Sequence, residues 1–328
     1  MTTDLLMLAV GLVLIIVGGD LFVASSVRIA ELLRMPRVVI GSTLVSLATT
    51  TPEMTVSILS GLKGESGLAV GNAVGSCLCN FGLILGVMAV LREVSVHPRN
   101  LRAPFTMMLG CGVLLFGMTL DLNLSRLQGG LLLCLGAGYF IFDFNQHRRH
   151  ASAALRHEAV GLETEWVSKH AWLRTGWGAG IQFLCGAVLV VVGSKFLVES
   201  AVHIATAMGV PAILIGLTVV AVGTSLPELI TAITSARRNV SDLAVGNVLG
   251  ANIANLTLIV GSAASVHEVS MSRVMQLFNL PAMLILMVAG YWMITSGGRL
   301  TRREGIGLLV FYGAYLLGIV VLGLMRRA

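Results

Sequence analysis

Charge is scarce in this chain. Of its 328 residues, 12% are Asp, Glu, Lys or Arg, about half the roughly 25% of an ordinary soluble domain. A chain this poor in charge cannot clothe a water-facing surface of its size, and no stretch of it could build a soluble domain. Aromatic residues are only 6% and prolines number 7, so each proline inside an apolar run carries meaning. The five cysteines, Cys77, Cys79, Cys111, Cys134 and Cys185, all fall in apolar runs; they read as small packing residues, not a disulfide framework, and say little about redox compartment. Met-Thr-Thr-Asp at the start lacks the positive segment of a secretory signal, which makes the first apolar run a retained helix. The pI of 9.4 does not point to nucleic acid. The arginines flank apolar runs, where lipid headgroups and topology account for them.

What the chain has in abundance is hydrophobic sequence, 56% of it, with a mean hydropathy of +0.89. Runs that meet the roughly 20-residue requirement for crossing a bilayer begin near Leu5 and recur to Leu324. The pattern predicts an all-α polytopic membrane protein with ten transmembrane helices, at about 5–29, 37–61, 67–91, 103–121, 126–145, 176–202, 211–236, 242–266, 274–296 and 304–324. The one long connection, 146–175, is rich in His, Arg, Ala and Glu. It separates a first five-helix unit, 1–145, from a second, 176–328.

The two units are copies. Residues 13–86 align with 188–261 without a gap: Val17-Gly18 falls on Val192-Gly193, Pro36 on Pro211, Pro52-Glu53 on Pro227-Glu228, and Leu68-Ala69-Val70-Gly71-Asn72 is identical to Leu243-Ala244-Val245-Gly246-Asn247. Five spans per copy is an odd number, so the second copy must lie upside down. Inverted repeats of this kind characterise secondary transporters. Charge confirms the inversion independently. Arg28, Arg34 and Arg37 become His203, Gly209 and Ala212, while Leu62-Lys63-Gly64-Glu65 becomes Arg237-Arg238-Asn239-Val240. With the N-terminus outside, cytoplasmic connections hold 16 of the 22 Lys and Arg, and outer connections and tails hold five; Lys195 lies within a span. The bias predicts both termini outside and the 146–175 connection in the cytoplasm.

Two stretches break the apolar pattern at matched places, Ala48-Thr49-Thr50-Thr51-Pro52-Glu53 and Gly223-Thr224-Ser225-Leu226-Pro227-Glu228. Each puts a carboxylate and several hydroxyls inside a span. An ionised side chain in hydrocarbon costs at least ~2.5 kcal/mol, so such acids face a partner, a cavity or an ion. Thr49 and Glu53, like Thr224 and Glu228, are four apart and share a helix face. Pro52 cannot donate to the carbonyl of Ala48, nor Pro227 to that of Gly223. Freed carbonyls, hydroxyls and two carboxylates form an oxygen cluster, which suits a hard cation. The alternative is that the prolines merely kink helices and the acids tie spans together; the recurrence of the same residue order in both inverted copies argues against it. The following spans add Gly75-Ser76-Cys77-Leu78-Cys79-Asn80 and Gly250-Ala251-Asn252-Ile253-Ala254-Asn255, with polar positions four apart and glycines that permit close helix approach.

The doubled motif resembles the paired alpha-repeats of the calcium/cation antiporter superfamily, in particular the sodium/calcium exchanger branch of the prokaryotic ten-helix type. Its Gly-Thr-Ser-Leu-Pro-Glu signature stands intact at 223–228. The resemblance covers essentially the whole chain. It implies a site between spans 2, 3, 7 and 8, with spans 1 and 6 sliding as a pair. It further implies that Glu53 and Glu228 bind calcium beside Thr49 and Thr224, that Ser76 and Asn80 contribute from span 3, and that carbonyls near Ser46 and Ala221 complete sodium sites. Thr50 and Ser225 supply hydroxyls within the motifs. Asn255 stands where the family often has Asp, and Ala251 where it usually has Ser. With Asn at 80 and 255 the core carries at most two negative charges, which one calcium ion neutralises.

The expected function is therefore exchange of calcium for sodium by alternating access across an inner or plasma membrane, with proton-coupled exchange of calcium or another divalent cation as the alternative on the same fold. A channel or a membrane enzyme fits less well: the repeat implies an occluded site rather than a continuous pore, and no nucleophile or cofactor motif accompanies the acids. No cofactor, nucleic acid or obligatory protein partner is expected. The 146–175 segment has no alternating acids of the EF-hand kind. Lys195 and Glu199 are placed to pair along one helix, and His147 and His150 read as interfacial.

Overall fold

The computed structural model describes residues 2–62, 66–95, 98–149, 175–208 and 223–325. Among these, eight helices are long and apolar enough to cross a membrane. Span 1 is Thr2–Leu33, span 4 Pro98–Met118, span 5 Arg126–Arg149, span 6 Gly176–Ala207 and span 10 Arg302–Met325. Span 3 joins Ser66–Cys79, a π-helical turn at Asn80–Ile84 and Leu85–Leu91. Span 8 repeats this as Ser241–Ala254, Asn255–Ile259 and Val260–Val266. Span 9 runs from a π-helical turn at Met275–Asn279 into Leu280–Gly297. Span 2 is broken, with Arg37–Ile40, Gly41–Val45 and Ser46–Thr49 forming one half and Thr51–Leu62 the other. Its counterpart, span 7, is described from Gly223, with the half-helix Leu226–Arg237.

Burial sorts the spans into layers. The most apolar window of span 8 is 94% buried and that of span 3 is 72% buried, against 17% for span 10. Spans 3 and 8 therefore form the centre, and leucines and valines of the outer spans, such as Leu6, Val13, Ile16, Leu184, Val188 and Val310, face outward. In a bilayer that surface meets lipid, and the polar residues are drawn inward instead.

The inversion is visible in the contacts. β1 (Val94–Ser95), after span 3, pairs antiparallel with β4 (Arg299–Leu300), after span 9; β2 (Asn123–Leu124), after span 4, pairs with β3 (Val269–Ser270), after span 8. β1 and β3 are equivalent in the two copies, yet they belong to ribbons on opposite faces, as an odd number of spans per copy requires. The same operation relates the contacts of spans 1 and 6. A Cβ on Gly18 would lie 2.7 Å from the Cβ of Leu189 and 3.1 Å from the Gly186 carbonyl, and one on Gly11 would lie 2.9 Å from the Gly193 carbonyl. Gly11 and Gly186 are equivalent, as are Gly18 and Gly193. Small residues thus let the two backbones touch, and Phe22 stacks obliquely on Phe183 at 4.8 Å beside them.

Of the charged residues within spans, Lys195 pairs with Glu199 at 3.8 Å, as their spacing predicts. Asp20 finds a partner that spacing could not reveal, Arg238 at the end of span 7, at 3.1 Å. Span 5 continues past 145 to Arg149, so His147 is helical; its ring bonds the carbonyl of Asp143 at 2.9 Å. His150 lies outside the described residues.

Candidate functional site

Proline dictates the local geometry. In span 2 the helix holds as far as the Thr50 N–H, which donates to Ser46 at 2.9 Å; Thr50 then leaves helical geometry at φ −82°, ψ 2°. Pro52 has no N–H for the next bond in the ladder, and the chain restarts as Thr51–Leu62. Ser225, at φ −92° and ψ 13°, plays the same part ahead of Pro227 and Leu226–Arg237. Glu53 and Glu228 fall in the first turns of the two new half-helices. Helix N-termini favour negative charge through their unpaired N–H groups and aligned dipoles, so both carboxylates are held where the backbone tolerates them.

Both acids are only 1% exposed, and their carboxylates lie close enough to interact electrostatically across the two copies. Ser225 stands beside Glu53, and Thr49 beside Glu228. What distinguishes the cluster is the oxygen left over. Glu53 Oε2, both carboxylate oxygens of Glu228, Asn80 Oδ1, Asn255 Oδ1 and Thr224 Oγ1 are all buried without a hydrogen-bond partner. A buried acceptor without a donor costs on the order of 1–3 kcal/mol, more when charged. These six atoms lie on four different spans, and each is an oxygen of the kind a hard cation takes. Among the described residues no group of three or more His, Cys, Asp and Glu gathers anywhere. The candidate donor set is two carboxylates plus neutral oxygens, the ligand chemistry of hard cations.

The structure joins Ser46, Thr49, Thr50, Ser76 and Ser225 to the two acids through hydrogen bonds and side-chain neighbours. Ser46, Thr49, Thr50, Ser76, Asn80, Ser225 and Asn255 are buried, with Thr224 half-buried; Ala221 lies outside the described residues. Ser225 donates to Ser76 Oγ at 3.3 Å, joining spans 7 and 3. The carbonyl of Ser46 is already engaged, by the hydroxyls of Thr50 at 2.7 Å and Thr49 at 3.3 Å as well as the Thr50 N–H. Those hydroxyls must turn away before that carbonyl can meet an ion.

Two residues of the site escaped the sequence reading. Asn247 accepts from Thr49 at 3.1 Å, and Asn252 accepts from the Asn80 amide at 2.8 Å; both are fully buried on span 8. Asn247 ends the pentapeptide identical in both copies, and an amide retained at that place in an apolar helix was the available signal. Span 8 can reach span 2 because glycines let the backbones meet: a Cβ on Gly246 would press into the peptide unit of Val38, 2.8 Å from its carbonyl carbon, and one on Gly250 would lie 2.5 Å from Ser46 Oγ.

Known proteins share this plan. The family described as sodium/calcium exchanger protein matches residues 3–144 and 179–321, covering both copies. The sodium/calcium exchanger MaX1 of Methanosarcina acetivorans is 31% identical over 342 residues, with 96% of this chain and 98% of that protein aligned. The inner membrane protein YrbG of Escherichia coli is 34% identical over 261 residues, 79% of this chain and 78% of that one. Among solved structures, the sodium-calcium exchanger NCX_Mj soaked with sodium and no calcium superposes with a TM-score of 0.80 at 28% identity, covering 96% of this chain and 98% of the other. With family match, relatives and structural likeness all spanning both inverted copies, the chain belongs to the sodium/calcium exchanger family.

Proposed function

We propose that the chain is a secondary active antiporter that exchanges calcium for sodium by alternating access, and not an enzyme. The observation that carries this reading is the set of buried, unpartnered oxygens on equivalent spans of both inverted copies, with two carboxylates close enough to interact among them. Glu53 and Glu228 are the shared ligands. Calcium, which takes six to eight oxygens at roughly 2.3–2.6 Å, would be held by both carboxylates with Thr49 and Thr224; Asn80, Asn255, Ser76, Ser225 and Thr50 supply further oxygens, and carbonyls near Ser46 and Ala221 serve sodium. Two carboxylates balance one divalent ion, and sodium competes for the same oxygens, so the two cargoes cannot load together. The relatives' names as sodium/calcium exchangers agree with this pair of ions.

Alternating access follows from the layering. Spans 1 and 6 touch each other through glycines and lie outside the central spans 3 and 8, so they form a pair able to slide across a site that stays fixed. The membrane is the inner or plasma membrane, consistent with the name of the Escherichia coli relative, with both termini outside and the 146–175 connection in the cytoplasm. Calcium uptake by purified protein in liposomes, under imposed sodium or proton gradients, tests the assignment. Uptake driven by an outward sodium gradient supports it; uptake driven only by protons transfers the chain to the proton-coupled reading, and passive flux without a gradient would make it a channel.

A further inference from the structure

We infer that Asn252 is a positioning residue, and that together with Met108 it decides which end of the Asn80 amide faces the ion. The inference rests on the reading of Asn80 as a ligand. An asparagine can present either a carbonyl oxygen or an amide nitrogen, and only the oxygen can hold a cation. Nothing about Asn80 alone settles the choice, because its two ends have the same shape.

The structure settles it through a chain that starts outside the site. Met108, on span 4 and fully buried, carries a thioether that can accept a hydrogen bond and has none to donate. The Asn252 amide nitrogen points at it, with Nδ2 at 3.8 Å from the sulfur. The Asn252 carbonyl must then face the other way, and it accepts from Asn80 Nδ2 at 2.8 Å. Asn80 is left with its Oδ1 buried, unpartnered and turned from Asn252. The Cys77 thiol donates to the Asn252 backbone carbonyl at 3.8 Å and seats that turn of span 8. Three side chains from spans 4, 8 and 3 thus convert the one-way chemistry of a sulfur into a fixed ligand orientation.

The second copy lacks the device. The position equivalent to Met108 is Met283, but the position equivalent to Asn252 is Cys77, which has no amide to relay the orientation. Both amide atoms of Asn255, the counterpart of Asn80, are buried without a hydrogen-bond partner. One amide ligand is therefore locked with its oxygen presented, while the other has only the Cys77 sulfur, a weak hydrogen-bonding group, beside it.

The test compares Asn252→Leu and Met108→Leu with the unmodified chain, then repeats both in an Asn80→Asp background. Calcium binding by calorimetry and calcium uptake in liposomes are both read. An aspartate offers oxygen whichever way it turns, so it needs no orientation. Asn252→Leu is expected to raise the calcium KM and Kd about tenfold, the size of one lost net hydrogen bond to a ligand, with kcat little changed. Met108→Leu gives a smaller rise in the same direction, and in Asn80→Asp neither substitution weakens calcium further. A purely packing role predicts the same loss in both backgrounds, and that result, or no change in KM from either substitution, would overturn the inference. Should Asn252→Leu fail to fold, Met108→Leu carries the same comparison. An unmodified protein that neither binds nor moves calcium would instead refute the proposed function.

Discussion

Replacing either buried carboxylate with its amide isolates charge from shape. Glu53→Gln keeps the volume and one oxygen but removes a unit charge from a site that holds two. At an effective dielectric of 20, a unit-charge pair 4 Å apart is worth about 4 kcal/mol, and a divalent ion doubles the figure. The carboxylate is already stripped of water by the fold, at 1% exposure, so little of that attraction is repaid as desolvation on binding. Even half of the gross term, about 4 kcal/mol, lowers calcium affinity on the order of 10³-fold. Sodium carries one charge and loses half as much, so the variant shifts selectivity away from calcium as well as losing transport. Glu228→Gln behaves alike, and without calcium it should melt higher than the unmodified chain. Both Glu228 oxygens are unpartnered there, and removing a buried uncompensated charge relieves strain held for function. The assay is radiolabelled calcium uptake into liposomes alongside melting curves with and without calcium, which at a hundred times Kd stabilises a binder by about 2.7 kcal/mol. Full calcium exchange by Glu53→Gln, or an undiminished calcium-induced shift in Tm, would refute the assignment of these acids as shared ligands.

Thr49→Val removes the hydroxyl shared between Asn247 and the Glu228 side of the site, and a fall of about tenfold in calcium affinity is expected, read by calorimetry. Gly246→Ala drives a Cβ into the peptide unit of Val38; overpacking of this kind costs about 1–3 kcal/mol, which a lowered Tm would register. For topology, cysteines placed singly at Asp121 and Glu93 in a cysteine-free background should differ. A membrane-impermeant maleimide added to intact cells labels the first and spares the second, and the reverse pattern would turn the chain over.

The sequence displayed the site's acids because membrane chemistry made them conspicuous. A carboxylate and a proline in an apolar run leave few innocent readings, and the recurrence of Pro52-Glu53 at Pro227-Glu228 removed most of those that remained. Lys195 and Glu199 were legible for a local reason, being one turn apart. Contacts between distant segments were not. Asp20 and Arg238 meet across 218 positions, and nothing in either neighbourhood announces the other. The π-helical turns at Asn80–Ile84 and Asn255–Ile259 leave no periodicity signal in so uniformly apolar a run, and two-residue strands are too short to show alternation. Asn247 and Asn252 were visible as letters, but their roles depend on which span lies opposite, and glycine-mediated backbone contact decides that.

Duplication explains why the scaffold is symmetric, and the site shows where symmetry was given up. The glycine contacts of spans 1 and 6, the ribbons and the π-helical turns of spans 3 and 8 obey the inverted relation between copies because each copy must bury the same faces against the other. Around the carboxylates the rule fails in three places. Ser76 meets Ser225, whereas the equivalent of Ser76 is Ala251 and Thr50 turns back to its own helix. Thr49 bonds Asn247 Oδ1, whereas Thr224 Oγ1, the equivalent of the Thr49 hydroxyl, is unpartnered. Asn80 is oriented by the Asn252 amide, whereas Asn255 has only the Cys77 thiol, a weaker partner, at the equivalent place. Two of the three departures leave Thr224 and Asn255 short of a partner, and the first instead leaves Ser225 bonded and Thr50 without a hydroxyl opposite it. A strictly symmetric site would present identical ligands to an ion arriving from either side of the membrane. Here Thr49 and Asn80 are fixed by hydrogen bonds while Thr224 Oγ1 and the Asn255 amide are left to be ordered by the ion itself, so the entropy of ordering falls on those two groups and binding from the two faces need not be equal.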